Sequence, residues 1–364
     1  MSNFALILIF HLQRMALIAT TTTYEHPGVE AADIAIEAAT ERMAVKQTIF
    51  RSLDAACKPS AVLCTNTSTL DIDAIAAATS RPSQVCGTHF FSPANVMPLL
   101  ENVRGTCSSA ETLATAMKLG KILGKKTVMA GNAFGFIGNR MVESYLREAN
   151  YMLEEGALPA DVDAPLRAFG MPMGPLQMSD LAGNDIGYSI RKDFGWDDPA
   201  TTPVPNERYY GALADKLVEM GRLGQKAKMG WYDYSKGRAP VDDPAVEALI
   251  IAHSAEVGFE RRAFGAQEIL DRCLLPLINE GYKCIEEGIA QRAEDVDVVY
   301  LYGYGFPRTK GGPIHWSKHY DGGEGKKMGL PYIADALQRY GEAHPNVSHW
   351  EPSQLLLDEA RKAA

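Results

Sequence analysis

Two stretches of the chain decide its fold: TNTSTL at residues 65–70 and GTHFFSPA at residues 87–94. Each stretch follows or contains a short apolar run of the kind that is typical of a buried strand. In an open α/β sheet, ligands bind in the crevice beyond the carboxyl ends of the strands. The polar residues at these strand ends, Ser68 and His89 among them, are therefore candidates for chemistry rather than for packing.

A carboxylate follows within an apolar run, at Glu101 in the sequence MPLLE (residues 97–101). A carboxylate among apolar residues needs a partner. A histidine and a glutamate brought together in a cleft make a general base and the group that orients it. His89 and Glu101 are therefore a candidate pair, and the alternative is a structural histidine with a surface glutamate.

Strand and helix patterns alternate through the first part of the chain, which is typical of β-α-β units and predicts an α/β fold with a parallel sheet. The strands are expected near residues 32–38, 62–64, 85–89 and 125–130, and the helices at residues 40–57, 71–78 and 108–123. Thr40 is expected to cap the first of these helices, because threonine before a helical apolar pattern is an acceptable N-cap.

A long helix is predicted from residue 136 up to Gly156, because apolar residues recur at helical spacing and glycine is a common stop. Its pattern returns later, since residues 139–156 align without a gap with residues 271–288. This repeat predicts a duplicated helical unit, in which Asp271 stands where the first copy has Asn139. We expect the second copy to be structural, because two repeats can bury surface that one alone cannot.

Composition excludes several classes of function. The 364 residues allow two or three domains, and 46% hydrophobic with 22% charged residues is ordinary for a globular protein. The net charge of -9 argues against a nucleic-acid partner. The six cysteines show no CxxC pair and no metal spacing, so we expect buried thiols in a reducing compartment and no metal site. No window is long and apolar enough for a transmembrane helix.

The runs NTSTLDIDAIA, THFFSPANVMPLLE and FGFIGNRM together resemble the NAD-dependent 3-hydroxyacyl-CoA dehydrogenase family of fatty-acid β-oxidation. The similarity extends from about residue 31 to residue 316. The spelling HFFSPA and the duplicated second half are most similar to the multifunctional β-oxidation enzymes, in which this unit follows an enoyl-CoA hydratase domain. A homodimer, or association with such a hydratase segment, is the partner that this resemblance implies.

The resemblance implies an α/β plus all-α fold, in which a partial Rossmann-type parallel sheet is followed by two related helical domains. The expected divisions are a partial NAD-binding domain at 1–131, a helical C-terminal domain at 132–235, a linker at 236–261 and a second, duplicated helical domain at 262–364.

Four residues fit the family pattern in order and spacing, and the resemblance implies a role for each. His89 is implied as the catalytic base and Glu101 as the group that orients it. Ser68 and Asn139 are implied to hydrogen-bond the hydroxyl and the thioester carbonyl of an acyl-CoA substrate. For Asn139 the residues alone leave open a helix cap, which is a frequent role of asparagine near a helix start.

The cofactor that the resemblance implies is NAD. Glu41 and Lys46 would lie near the nicotinamide ribose, with Ser68 and Lys226 as further contacts. The residues alone leave open a solvated charge for Glu41 and an ordinary helix lysine for Lys46. Around Lys226 the sequence QKAKMGWYDY departs from the family's Lys-Thr-Gly-x-Gly-Phe/Tyr-Tyr and loses a glycine.

The sequence holds one glycine, Gly28, before Gly87, and no GxGxxG motif. A dinucleotide fold needs glycines after its first strand, so that the pyrophosphate can approach the backbone. The family carries this motif, and the chain is therefore expected to be truncated through the first half of its nucleotide domain. The apolar residues 4–10 lack the features of a signal peptide and are expected to pair with the sheet edge that truncation exposes.

Three functions follow from these patterns. The first is oxidation of (3S)-3-hydroxyacyl-CoA to 3-oxoacyl-CoA with NAD. The second is a catalytically silent remnant that acts as an acyl-CoA-binding or assembly module, because the glycine motif is absent. The third, another nucleotide-dependent oxidoreductase, is disfavoured by the spellings HFFSPA and GFIGNR. The expected location is the peroxisome or mitochondrion in a eukaryote and the cytoplasm in a bacterium.

Overall fold

The computed structural model describes residues 13–198, 200–201, 206–320 and 328–364. The chain forms two compact units, of which the first comprises the described residues up to 92 together with residues 100–133, and the second comprises residues 93–99 and 134–364. The apolar run at residues 4–10, for which strand pairing was expected, lies outside the described residues.

The first unit is built on a five-stranded sheet with the strand order β1-β2-β3-β4-β5. The strands are β1 (Ile34–Glu37), β2 (Val62–Thr65), β3 (Val85–Phe90), β4 (Leu99–Arg104) and β5 (Lys126–Gly131). The helices are α1 (Pro27–Glu30), α2 (Met43–Ala56), α3 (Ile72–Ala76) and α4 (Ala110–Ile122). The predicted alternation of strands and helices, and with it the α/β class, is confirmed.

The sheet differs from a wholly parallel one at its fourth strand. Strands β1, β2 and β3 run parallel, whereas β4 pairs with β3 in the antiparallel direction. Sequence reasoning treated the start of β4 as an apolar run around a carboxylate and did not predict a strand there. All of β4 except Arg104 is buried, and a strand that is covered on both faces has no alternating pattern by which to recognise it.

Three of the four helices named in the first unit begin with a side-chain cap, and in α1 this is Nδ1 of His26, which accepts a hydrogen bond from the Gly28 amide. Asp71 accepts a hydrogen bond from the first turn of α3, and Ser109 accepts one from the first turn of α4. The expected cap at Thr40 is wrong, because α2 begins at Met43 with Arg42 as its N-cap and without a side-chain cap.

The core of the first unit lies between the sheet and α4, where Val62, Cys64, Cys86 and Ala116 form one buried cluster. Cys64 and Cys86 are register partners on adjacent strands, with their sulfurs 3.7 Å apart. Their contact and their burial raise the pKa of the Cys64 thiol, which makes it a poor nucleophile. The prediction of buried thiols is wrong for Cys107, which is exposed.

The second unit is helical throughout its named elements. These are α5 (Gly138–Glu155), α6 (Pro159–Phe169), α7 (Pro175–Ala182), α8 (Asn184–Asp193), α9 (Ala212–Glu219), α10 (Pro244–Glu256), α11 (Ala266–Glu286), α12 (Ala293–Gly303), α13 (Pro313–Ser317), α14 (Leu330–Ala343) and α15 (Gln354–Ala363). Among the residues that the structure describes, no helix combines the length and the apolar character that a membrane crossing requires.

The segment 236–261, which was expected to be a linker, contains helix α10. Asp243 caps this helix by accepting a hydrogen bond from the amide of Ala245. Val246 and Ile250 are buried on one side of α10, which packs against α5. The segment is therefore part of the helical core, and the glycine- and proline-containing sequence before it marks only a short connection.

Each copy of the repeated helical pattern uses a buried aspartate to hold the start of a short helix. Asp163 accepts hydrogen bonds from the first amides of α7, the shortest at 3.0 Å, and Asp297 does the same for α13 at 2.8 Å. A Cβ atom at Gly174 or at Gly312 would collide with the facing aspartate. The sequence DVD (residues 161–163 and 295–297) and the glycine-proline pair (residues 174–175 and 312–313) therefore belong to one structural arrangement, which occurs once in each copy.

A buried ion-pair network joins α5 to α11, the long helices of the two copies. Arg272 on α11 is fully buried, and its guanidinium contacts Glu148 at 2.5 Å and also Glu155, both on α5. His349 donates to the other oxygen of Glu148 at 2.8 Å. Burial by itself would raise the pKa of Glu148, but Arg272 and His349 lower that pKa to about 2. The carboxylate is therefore ionised and held at the helix interface.

We expect Arg272→Met to lower the free energy of unfolding by about 3–5 kcal/mol, because it takes the guanidinium away from the fully buried Glu148 and leaves Glu155 with Arg208 as its remaining cation. The matched control is Arg361→Met, since Arg361 forms an exposed ion pair with Asp358 and should change stability by about 1 kcal/mol or less. Urea unfolding of both variants measures the difference. An Arg272→Met protein as stable as the control would show that the network does not join the helices energetically.

Candidate active site

His89 and Glu101 lie directly opposite each other on β3 and β4, because the antiparallel register pairs these two positions. Residues that face each other across an antiparallel pair project their side chains to the same side of the sheet. The Nδ1 atom of His89 is 2.9 Å from Oε2 of Glu101. Glu101 is fully buried and His89 is only 7% exposed. The structure therefore brings the predicted pair into hydrogen-bond contact.

This contact sets the tautomer of the His89 imidazole. A carboxylate can only accept hydrogen bonds, so the Nδ1–H group donates to Glu101 and the lone pair of the neutral ring is on Nε2. The ring of Phe91 packs beside the imidazole, with the two ring centroids 4.5 Å apart. A neutral imidazole held in one tautomer has the chemical form of a general base.

Ser68 lies beyond the carboxyl end of β2, where a carboxylate holds both its main chain and its hydroxyl. Oε1 of Glu41 accepts hydrogen bonds from the Ser68 amide at 2.7 Å and from the Ser68 hydroxyl at 3.2 Å. The same oxygen accepts from the Thr67 hydroxyl at 2.5 Å and from the Thr69 amide at 3.2 Å. The TNTSTL loop is therefore wrapped around one carboxylate oxygen.

These donors also set the ionisation of Glu41. Partial burial by itself would raise its pKa, but the hydrogen bonds from Thr67 and the Ser68 amide, together with the charge of Lys46, lower the pKa below the ordinary value. Glu41 is therefore a carboxylate anion that acts as an acceptor. About a third of its side chain is exposed, so the alternative of a fully solvated charge is wrong.

Lys46 is only 1% exposed, so the alternative of an ordinary helix lysine is also wrong. Its ammonium group is 2.9 Å and 3.0 Å from the two oxygens of Glu37, and 3.3 Å from Oε2 of Glu41. The hydroxyl of Thr65 donates to Glu37 at 2.7 Å. One buried ammonium therefore connects the end of β1 to the carboxylate that holds Ser68.

Sequence reasoning missed two residues of this arrangement. Glu37 was given no role, although a carboxylate near the end of a predicted strand, with Lys46 nine residues later, was a signal for a partner. Asn66 was not given a role, yet its Oδ1 accepts a hydrogen bond from the Phe90 amide at 2.8 Å. This bond ties the end of β2 to the end of β3, next to His89.

The remaining predicted site residues belong to the second unit. Asn139 lies in the first turn of α5, and its Oδ1 accepts a hydrogen bond from the Tyr304 hydroxyl at 2.6 Å. Lys226 is half exposed and pairs with Asp185 at 2.5 Å. Lys228 follows with a φ of 60°, a conformation that favours glycine, which is the residue type that the family pattern has in this stretch.

No metal site is apparent among the described residues, since no three His, Cys, Asp or Glu side chains there are grouped to hold an ion. The chemistry that the first unit offers is proton transfer at His89 and hydrogen bonding at Ser68 and Glu41.

Two family models match consecutive parts of the chain. The model described as 3-hydroxyacyl-CoA dehydrogenase, NAD binding domain, matches residues 11–133. The model described as 3-hydroxyacyl-CoA dehydrogenase, C-terminal domain, matches residues 135–234.

Similar curated proteins include the peroxisomal bifunctional enzymes of Cavia porcellus and Homo sapiens. The first is 46% identical over 332 residues, which are 89% of this chain and 44% of that protein. The second is 45% identical over 344 residues, which are 93% of this chain and 46% of that protein. The chain thus spans somewhat less than half the length of these relatives.

Among solved structures, 3-hydroxybutyryl-CoA dehydrogenase from Escherichia coli is similar with a TM-score of 0.74 and 27% identity, over 95% of this chain and 84% of that one. The dehydrogenase part of multifunctional enzyme 1 from C. elegans is similar with a TM-score of 0.61 and 27% identity, over 92% of this chain and 73% of that one.

At neutral pH we expect Glu41→Gln to lower the free energy of unfolding by about 1 kcal/mol, because an amide accepts these hydrogen bonds less strongly than a carboxylate. The folded-state pKa of Glu41 lies below the ordinary value of 4.5. Its contribution is therefore present above that value and is lost as the pH falls through the folded-state pKa. The difference between wild type and variant should narrow in acid.

Urea unfolding of both proteins at neutral and acidic pH measures this difference. Glu111→Gln is the control, because Glu111 is an exposed glutamate in the first turn of α4 and its replacement should change stability little. A wild-type advantage that stays constant or grows on acidification would contradict the assignment of Glu41 as an ionised acceptor.

Proposed function

Since the chain belongs to the 3-hydroxyacyl-CoA dehydrogenase family, we propose that it oxidises (3S)-3-hydroxyacyl-CoA to 3-oxoacyl-CoA with NAD in fatty-acid β-oxidation. The observation that carries this proposal is the contact between His89 and Glu101, beside the Ser68 loop at the ends of adjacent strands. A base held in one tautomer next to a hydroxyl-binding loop suits the oxidation of a secondary alcohol.

His89 is proposed to remove the proton of the C3 hydroxyl through Nε2. When bound, NAD accepts the hydride that leaves C3. Glu101, hydrogen-bonded to Nδ1, would stabilise the imidazolium that forms, as the acid of a catalytic triad does. In the opposite direction the imidazolium would return the proton to the forming alkoxide.

Ser68 and Asn139 are proposed to bind the substrate. Their hydroxyl and amide groups would hydrogen-bond the C3 hydroxyl and the thioester carbonyl of the acyl-CoA. Such contacts direct the C3 hydrogen, and positioning of this kind is a large part of the rate that an enzyme supplies.

The contacts of Glu41 support a fit to the dinucleotide. Oε1 of Glu41 is taken by the Ser68 loop, whereas Oε2 contacts Lys46 and the side chain is a third exposed. An exposed carboxylate oxygen can accept a hydrogen bond from a ribose hydroxyl. Lys46 is buried, so we propose that it acts through Glu41, and Lys226 is a further proposed contact.

We propose the domain organisation given by the sequence, with α10 added to the helical core. The second helical copy is proposed to be structural rather than catalytic. Asp271, its counterpart of Asn139, is buried and accepts hydrogen bonds from Tyr320 and from Tyr332, the latter at 2.5 Å. The carboxylate oxygens of Asp271 thus accept hydrogen bonds from side chains of the protein itself, which suits a structural role.

The relatives guide the proposal on location and partners. Those from animals are named peroxisomal bifunctional enzyme, so we propose a peroxisomal location for a eukaryotic source and association with an enoyl-CoA hydratase segment. A bacterial relative is named fatty acid oxidation complex subunit alpha. The alternative of a catalytically silent binding module has no support among these relatives.

We expect the purified chain to oxidise NADH with acetoacetyl-CoA, measured by loss of NADH absorbance. In His89→Gln the turnover should fall by about a hundredfold or more, the usual worth of a positioned base, while acetoacetyl-CoA binding stays nearly unchanged. The control is His319→Gln, because His319 is exposed on the second unit and should leave turnover as it is.

Two results would count against the proposal. Equal loss of binding and turnover in His89→Gln would favour a structural histidine. Binding of acetoacetyl-CoA without turnover by the wild-type chain would favour the silent module.

A further inference from the structure

We propose that Glu37 is a positioning residue of this site, which acts through Lys46 and Glu41 to hold the hydroxyl of Ser68. This inference rests on the proposed function. The four residues lie in the first unit, at the carboxyl ends of β1 and β2 and at the start of α2.

Glu37 is fixed by donors on both of its oxygens. Oε1 accepts from the Ala39 amide at 2.6 Å and from Lys46 at 2.9 Å, and Oε2 accepts from the Thr65 hydroxyl at 2.7 Å and from Lys46 at 3.0 Å. The residue is only 4% exposed. A buried carboxylate with this many donors has one available orientation.

Lys46 is shared between two carboxylates, but not equally. Its Nζ atom lies within 3.0 Å of both oxygens of Glu37 and 3.3 Å from Oε2 of Glu41. Glu37 therefore holds the ammonium on its own side. If Glu37 lost its charge, Glu41 would be the anion left in contact with a buried cation, and Lys46 would move towards it.

A shift of Lys46 is transmitted to Ser68 because Glu41 uses its two oxygens for different partners. Oε2 faces Lys46, and Oε1 holds the amide and hydroxyl of Ser68. A carboxylate that turns to follow Lys46 withdraws Oε1 from the loop. The charge on Glu37 therefore decides whether Oε1 of Glu41 keeps its hydrogen bonds to Ser68.

The position of the Ser68 hydroxyl is what this chain of contacts sets. Oε1 of Glu41 holds the Ser68 amide at 2.7 Å and its hydroxyl at 3.2 Å. In the proposed reaction the single hydrogen of the C3 hydroxyl is donated to Nε2 of His89, so the serine hydroxyl donates to the C3 oxygen, turning from its longer bond to Glu41 while its amide stays held. If Glu41 releases the loop, the serine hydroxyl is displaced and the substrate loses a positioning contact.

A purely structural role for Glu37 makes a different prediction, which a double-mutant cycle can separate. If Glu37 only neutralises Lys46, Glu37→Gln lowers stability, and any effect on turnover is the same with and without the Ser68 hydroxyl. If Glu37 acts on Ser68, its effect on turnover disappears once the serine hydroxyl is removed.

The experiment measures kcat and KM for NADH oxidation with acetoacetyl-CoA, together with urea unfolding, for Glu37→Gln in the wild-type and Ser68→Ala backgrounds. We expect kcat to fall by about tenfold in the wild-type background and by less than about twofold in Ser68→Ala, since a displaced positioning contact slows turnover only while it exists. The loss of stability should be the same in both backgrounds.

Asp33→Asn is the matched control, because Asp33 is an exposed carboxylate just before β1 that pairs with Lys58; its kcat should equal that of the wild type. If Glu37→Gln does not fold, Thr65→Val carries the same cycle. It removes one donor to Glu37 together with the acceptor of the Thr67 amide, and it leaves every charge in place. A smaller fall in kcat is therefore expected, again confined to the background that has Ser68.

The outcomes separate this inference from the proposed function. A wild-type chain that binds acetoacetyl-CoA but does not turn over would overturn both. A wild-type chain that turns over, with Glu37→Gln losing only stability or losing kcat equally in both backgrounds, would overturn the role of Glu37 alone.

Discussion

A buried carboxylate must be met by a cation or by hydrogen-bond donors, and this constraint shapes both units of the chain. In the first unit, Glu101 is fully buried and is met by His89, while Glu37 is met by Lys46. In the second unit, Glu148 is fully buried and is met by Arg272. Removing a charge from water costs several kcal/mol unless partners replace the lost hydration. Each carboxylate therefore dictates where its partner lies.

The partner decides what a buried carboxylate can contribute chemically. Glu101 meets an imidazole, and an imidazole can gain or lose a proton near neutral pH. Glu148 meets His349 and the guanidinium of Arg272, which stays charged, so the pairing with Arg272 supports helix packing and offers no proton to a reaction. The two aspartates that begin α7 and α13 belong to this second, structural kind.

The sequence allowed the α/β class, the long helix at α5 and the residue types of the site to be predicted. The contact of His89 with Glu101 could be proposed because a histidine stood at an apolar strand end and a carboxylate stood within the next apolar run. Its geometry could not, because β4 is buried on both faces and carries no alternating pattern. Lys46 could be taken for an ordinary helix lysine, because its burial depends on contacts with Glu37 and Glu41 that exist only in the folded chain.

The helix in the segment 236–261 was missed because its sequence context was judged by the glycine and proline before it. The intrinsic helix propensity of a segment contributes little to its stability when one face of the helix, here Val246 and Ile250, packs against a neighbouring helix. Asn139 shows another limit of reasoning from sequence. Its position in the first turn of a helix was predicted, but its hydrogen bond to Tyr304 depends on the folded second copy.

The antiparallel pairing of β3 with β4 has a consequence for how the base is assembled. His89 and Glu101 are close in sequence and meet within one two-stranded ribbon, so their contact has a low sequence separation and needs little loop closure. Such local pairings can form early in folding. The contact that orients the imidazole is thus made within a local part of the chain and does not depend on segments that are distant in sequence.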